Sequence, residues 1–258
     1  MQTYLNSPEL KTAFLAEITK HENANALVKG IYGQMNGSFK GCAIGCSLHS
    51  LNILQGKTGA ALVDLTNRHE RYPAELGWPL WLAYLEDNIF ENLPDDLATT
   101  WPRRLAEAVP VGAVVDDLVL AKILRWTLAD QEFGVRFATD NEEMRGYIDV
   151  IVAAFDAEIA TGGQATAEQR EAAARAARDA WAARDTRAAR AARAAWAARN
   201  AWDAWDARAA WAARAAWAVW DAWDAGNSEI AGSKAAAFFP ALSLYVLTLL
   251  RELPSDAG

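Results

Sequence analysis

Cysteine, histidine and methionine are scarce in this chain, at two, three and three residues out of 258. Two cysteines exclude a small scaffold stapled by several disulfides. Basic charge is short as well. Lys and Arg number 25 against 33 Asp and Glu, a formal net charge of −8. That balance argues against general affinity for nucleic acid duplexes or anionic membranes, both of which need a basic excess. Membrane-length apolar runs are also missing. Residues 235–250 carry no charge over 16 positions, but as a helix they span only about 24 Å against roughly 30 Å of hydrocarbon. With Pro240 and Ser243 inside it, this stretch reads as a buried C-terminal helix. The first twenty residues lack a basic head followed by an apolar core. No signal peptide is expected, and the expected setting is cytoplasmic.

Strand signals are nearly absent, whereas helix signals recur. Ser7-Pro8-Glu9 is an N-cap with proline in the first turn, and apolar residues follow at helical spacing to about Lys29, with Gly30 as the stop. Residues 31–41 are rich in glycine, and Asn36-Gly37 suits a hairpin turn. This is the one place where strand is expected. Helices are then expected over 41–54 and 59–67, separated by a loop. Pro73, Pro79, Pro94, Pro102 and Pro110 punctuate a series of short helices. Residues 113–130 form an amphipathic helix. Thr139-Asp140-Asn141-Glu142 is a capping box that opens a helix to about Ala160, and Thr166-Ala167-Glu168-Gln169 is a second one. The expected fold is all-α, with at most a small β-hairpin near 31–41. A helical core with the cysteine motif occupies 1–163. Residues 164–258 add an alanine-rich segment and the apolar C-terminal helix, packed on the core as one domain.

From Arg175 to Trp223 every third residue is Arg or Trp, 17 times in succession, with alanine dominant between them. Alanine is the best helix former, so this is a long helix or a helical hairpin. A three-residue step drifts around a 3.6-residue helix, and the arginines of the first half spiral round the axis. In the second half, Trp202, Trp205, Trp217, Trp220 and Trp223 share one face about 120° wide. Trp211 lies opposite, near Arg208 and Arg214. Ala209, Ala213 and Ala216 form a floor between the tryptophan walls. Such a slot receives a crossing helix, or it holds a flat ligand with arginine nearby for a phosphate or carboxylate, or it makes a contact between copies of the chain.

The other unusual stretch is Lys40–Ser50, KGCAIGCSLHS. On a helix Cys42, Cys46 and His49 share a face, and Gly41 and Gly45 form a small-residue ridge that lets another helix approach. Four readings stand side by side. The cysteines are inert packing residues beside a hydrogen-bonded histidine. Alternatively Cys42, at a helix N-terminus that lowers a thiol pKa, is a nucleophile with His49 as base, or with His21 and its neighbour Glu22. A metal site would need His21 or His69 to complete it. A redox pair is the fourth, although thiols at i and i+4 are poorly aimed for a disulfide. Gly56-Lys57-Thr58 has the ending of a phosphate-binding loop, but the earlier glycine of that motif falls at Leu51 and no strand precedes it. The acidic pairs Glu86-Asp87, Asp95-Asp96, Asp116-Asp117 and Glu142-Glu143 read as solvated helix faces.

The order of segments KGCAIGCSLHS (40–50), ELGWPLWLAYLEDNIFENLP (75–94), TWPRRLAEAVPVGAVVDDL (100–118) and ILRWTLAD (123–130), followed by the alanine-rich tail, resembles an uncharacterised family of bacterial and phage proteins. The resemblance covers about residues 21–225, with GCAIGC and His49 its most specific block. It implies a phage or bacterial cytoplasm and no established activity. The functional expectation is a non-enzymatic, homo-oligomeric binding protein. It sequesters a small phosphorylated, nucleotide-like ligand with Trp202, Trp205, Trp217, Trp220, Trp223, Arg208 and Arg214, or it blocks a host protein. The alternatives are a cysteine-dependent hydrolase or transferase using Cys42 or Cys46 with His49, and a structural oligomerisation protein. No cofactor or metal is assigned, and neither a nucleic acid duplex nor a membrane is expected as partner.

Overall fold

The computed structural model describes residues 1–138, 141–182 and 229–255. The tryptophan face, with Arg208 and Arg214, lies outside the described residues. The fold is all-α with one small antiparallel hairpin among the described residues. The chain falls into two compact units, residues 1–115 with 243–258, and residues 116–242.

In the first unit Ser7 caps α1 (Pro8–Asn23), its hydroxyl accepting the Leu10 N–H at 3.0 Å. The helix stops at Asn23, six residues short of the expected Lys29. The cause is a long-range pairing. Asn25 takes a positive φ of 49°, and the next residues run alongside Gly41. The Gly41 N–H donates to the Ala26 carbonyl at 2.9 Å, and the Val28 N–H to the Gly41 carbonyl at 2.8 Å. The expected hairpin follows, β1 (Gln34–Asn36) paired with β2 (Ser38–Lys40) around Gly37 at φ 80°.

Next comes α2 (Ala43–Leu54), buried from Ala43 to Asn52 and packed against α1. The Gly41–Gly45 ridge is real, but among the described residues a backbone segment, not a helix, lies on it. A Cβ on Gly45 would fall 1.4 Å from the Tyr32 carbonyl oxygen, and one on Gly41 2.3 Å from it. The ridge admits the backbone of Tyr32, which fixes the side chain of that residue beside α2. The expected helix over 59–67 is only a short 3-10 turn at Gly59–Val63, and an irregular stretch leads on to His69.

The prolines then space out α3 (Arg71–Leu76), α4 (Leu80–Asn92), α5 (Asp95–Ala98) and α6 (Trp101–Ala108). Pro79 and Pro94 stand immediately before α4 and α5. Proline fits such positions because the first turn of a helix has no use for its missing N–H. Trp78 anchors an aromatic cluster with Tyr4, Phe14 and Tyr72, at ring separations of 5.7, 6.4 and 5.8 Å. α4 packs on α2, α3 and α6, and it sets the floor of the candidate site.

In the second unit Asp116 caps α7 (Asp117–Ala129) by accepting the Leu118 and Val119 N–H groups. Asn141 caps α8 (Glu142–Thr161), while Thr139 and Asp140 of the expected capping box lie outside the described residues. The second capping box forms as expected at the start of α9 (Ala167–Ala182). The Thr166 N–H donates to Gln169 Oε1 at 2.9 Å, and the Gln169 N–H to Thr166 Oγ1 at 3.2 Å. α8 packs between α7 and α9. The last helix, α10 (Glu229–Arg251), contains Pro240; it buries Phe238, Phe239 and Leu242 in the second unit, and Val246, Leu247 and Leu250 in the first. No helix among the described residues is long and apolar enough to cross a membrane.

Candidate functional site

The two cysteines part company. Cys46 is fully buried and donates weakly to the carbonyls of Gly41 and Ala26, at 3.5 and 3.7 Å. Burial pushes its pKa up to about 12. Cys42 stands at the N-cap of α2, with its sulfur near the N–H groups of Ile44 and Gly45 but without closing a capping hydrogen bond. It is 2% exposed. Its Sγ and carboxylate oxygens of Asp87 and Glu91 on α4 all lie within 4.8 Å of one another. Burial, and then the charges of Asp87 and Glu91, raise the Cys42 pKa far above the usual thiol range, although the helix amides pull it the other way. The lowered pKa that an N-terminal cysteine suggests in the sequence is thus reversed by its neighbours.

Histidine pairs with histidine, not with sulfur. His49 Nδ1 and His21 Nε2 are 3.1 Å apart, and Phe39 stacks on His49 at 4.0 Å. One ring donates and the other accepts in that contact. Burial, and then the neighbouring His49, lower the His21 pKa to about 4, and burial lowers that of His49. Glu22 is turned away to an ion pair with Arg103 at 2.7 Å. Neither ring is hydrogen-bonded to a thiol.

The third histidine marks the candidate site. His69 Nε2 lies 3.3 Å from Asp87 Oδ2, and its ring stacks on Tyr84 at 4.0 Å. Tyr32 meets His69 edge-on, and the Arg68 guanidinium lies over the Tyr32 ring at 3.5 Å. Tyr32, Arg68, His69 and Tyr84 line an open cleft of about 890 Å³, bordered by residues 63–70. Arg68 is exposed and forms no ion pair among the described residues. Asp87 serves as the joint between the cleft and the Cys42 cluster. Glu91 is held by the Gly30 N–H at 3.0 and 3.2 Å, and burial and the Asp87 charge raise its pKa.

Glu86 and Asp87 are not the solvated pair that their sequence suggests. They are 1% and 8% exposed. Burial raises the Glu86 pKa to about 8, which leaves the carboxyl protonated at neutral pH. Ser47 Oγ is 3.5 Å away, and the fully buried Tyr72 hydroxyl lies beside it without a well-formed hydrogen bond. One signal was present in the sequence. The acids sit in LWLAYLEDNIF, which is apolar on every face, and a helix of that kind is buried all round. The other three acidic pairs are exposed as expected. No family model, curated protein or solved structure matches the chain.

Proposed function

We propose that this is a helical binding protein whose cleft beside His69 holds a small ligand that joins a flat ring to an anionic group. The observation that carries the reading is Arg68. A guanidinium stacked on Tyr32, facing solvent and free of any ion pair among the described residues, presents its N–H fork to an incoming phosphate or carboxylate. Tyr84, partly exposed and stacked on the buried His69, lines the same cleft and offers a surface for a ring. The chemistry is the one expected for the tryptophan slot, moved to a different part of the chain. The raised thiol pKa values and the histidine–histidine pairing give no support to a cysteine nucleophile.

Calorimetric titration with adenosine monophosphate and with inorganic phosphate tests the proposal. Adenosine monophosphate is expected to bind more tightly than phosphate. The Arg68→Ala variant should weaken both by about tenfold or more, the range of a lost hydrogen bond to a charged group. Equal binding by wild type and variant would place the ligand elsewhere. No binding of either compound, together with no retained ligand mass in native mass spectrometry of the protein from cells, would overturn the reading.

A further inference from the structure

We propose that Cys42, Asp87 and Glu91 form a site for a divalent transition metal of the zinc class. Three oxygen and sulfur donors from two helices converge there, with their ligand atoms within 4.8 Å of one another. A tetrahedral ion with bonds of about 2.0–2.3 Å needs its donors about 3.3–3.6 Å apart. Closing the cluster therefore takes side-chain movements of about an ångström, and both carboxylates sit on flexible arms. A sulfur ligand selects against magnesium and calcium, which take oxygen alone.

A second and independent observation comes from the contrast between the thiols. Cys46 is paired as a donor to two carbonyls, as an inert buried thiol is. Cys42 is also buried and donates to no acceptor among the described residues. Instead its sulfur faces two backbone N–H groups on one side and two carboxylates on the other. N–H groups favour a thiolate. Carboxylates repel one, and they repel each other. Lys29, the nearest cation to Glu91, is engaged by Asp95 and by the Leu93 carbonyl. A cation among the three groups resolves the conflict, because it stabilises the thiolate and screens the two carboxylates from each other. His69 on Asp87 supplies the kind of outer hydrogen bond that orients a ligating carboxylate. The fourth position falls to an exogenous ligand such as water, because His69 is not among the converging donors. The donors differ from the set expected from sequence: Cys42 is retained, and the α4 carboxylates replace His21 or His69.

The test uses the full chain, stripped by a chelator and titrated with Co²⁺ alone. Wild type should take up one equivalent and develop a thiolate-to-cobalt charge-transfer absorption, which Zn²⁺ then displaces. Cys42→Ser should abolish the band, and Cys46→Ser should keep it. Glu91→Gln serves if Cys42→Ser fails to fold. Glu91 is partly exposed and glutamine keeps its shape, so the variant should weaken Co²⁺ binding at least about tenfold with the helical circular dichroism unchanged. The proposal is overturned if wild type gives no band. It is equally overturned if the band survives Cys42→Ser or disappears in Cys46→Ser, or if Glu91→Gln binds Co²⁺ as tightly as wild type. Because the readout needs no cleft ligand, the result is independent of the Arg68 experiment.

Discussion

A thiol is defined by what its sulfur touches. Cys42 and Cys46 are separated by one helical turn. One nevertheless faces carboxylates and the other faces carbonyls. Replacing Cys46 by serine sets a shorter, more polar hydroxyl among the same carbonyls, at distances of 3.5 and 3.7 Å that suit sulfur. Cys46→Ser should therefore cost about 1–3 kcal/mol in denaturant unfolding and leave cleft binding intact. Both thiols should also resist iodoacetamide at pH 7.5 in the native protein and react on unfolding. Fast labelling of Cys42 in the native state would show an accessible thiolate and restore the nucleophile reading. The sequence shows that these residues share a helix, and their spacing carries that much. It does not show which partners meet them, because Asp87 and Glu91 lie more than forty positions away.

Elements are positioned by close approaches that only some residues permit. Gly45 lets the Tyr32 backbone cross α2, and Tyr32 in turn supports Arg68 at the cleft. Gly45→Ala places a methyl group 1.4 Å from a backbone oxygen. No rotamer relieves that overlap, so the 31–33 segment must move or the helix must shift. The expected loss is about 3 kcal/mol or more, at the upper end for overpacking, and any variant that still folds should lose affinity for adenosine monophosphate. Stability within 1 kcal/mol of wild type would mean that the crossing is looser than described. In the second unit Thr166→Ala removes one half of a reciprocal cap and should cost about 1 kcal/mol. Local devices such as this cap, the Ser7 cap and the hairpin at Gly37 are legible in sequence, because both partners lie within a few residues of each other. The early end of α1 is not, because it is set by Ala26 and Val28 pairing with Gly41. The occupant of the glycine ridge is hidden for the same reason. Small residues announce a close approach but not what approaches.

At the scale of the whole molecule, the buried ionisable groups combine into a pH profile that no single motif reveals. His21 and His49 are held neutral, with the His21 pKa lowered to about 4 from an ordinary 6.5. The unfolded chain binds those protons below pH 6.5 and the folded chain does not. Stability from the histidines is therefore complete above pH 6.5 and declines as the pH falls toward 4. Glu86 acts in the opposite sense. Its pKa is raised to about 8 from an ordinary 4.5, so the folded protein keeps a proton that the unfolded chain releases. Its contribution is complete below pH 4.5 and is lost as the pH rises toward 8. Between 4.5 and 6.5 the two slopes oppose each other, and from 6.5 to 8 the Glu86 slope remains, with Glu91 acting in the same sense. There each pH unit removes up to about 1.4 kcal/mol. Stability measured by urea unfolding should peak at mildly acidic pH and fall from 6.5 to 8. Glu86→Gln keeps the shape of the side chain and has no proton to lose. It should flatten that alkaline limb while leaving the acid limb, which belongs to the histidines, in place. An alkaline limb that stays as steep in Glu86→Gln would assign it to other groups and show that Glu86 is charged in the folded protein.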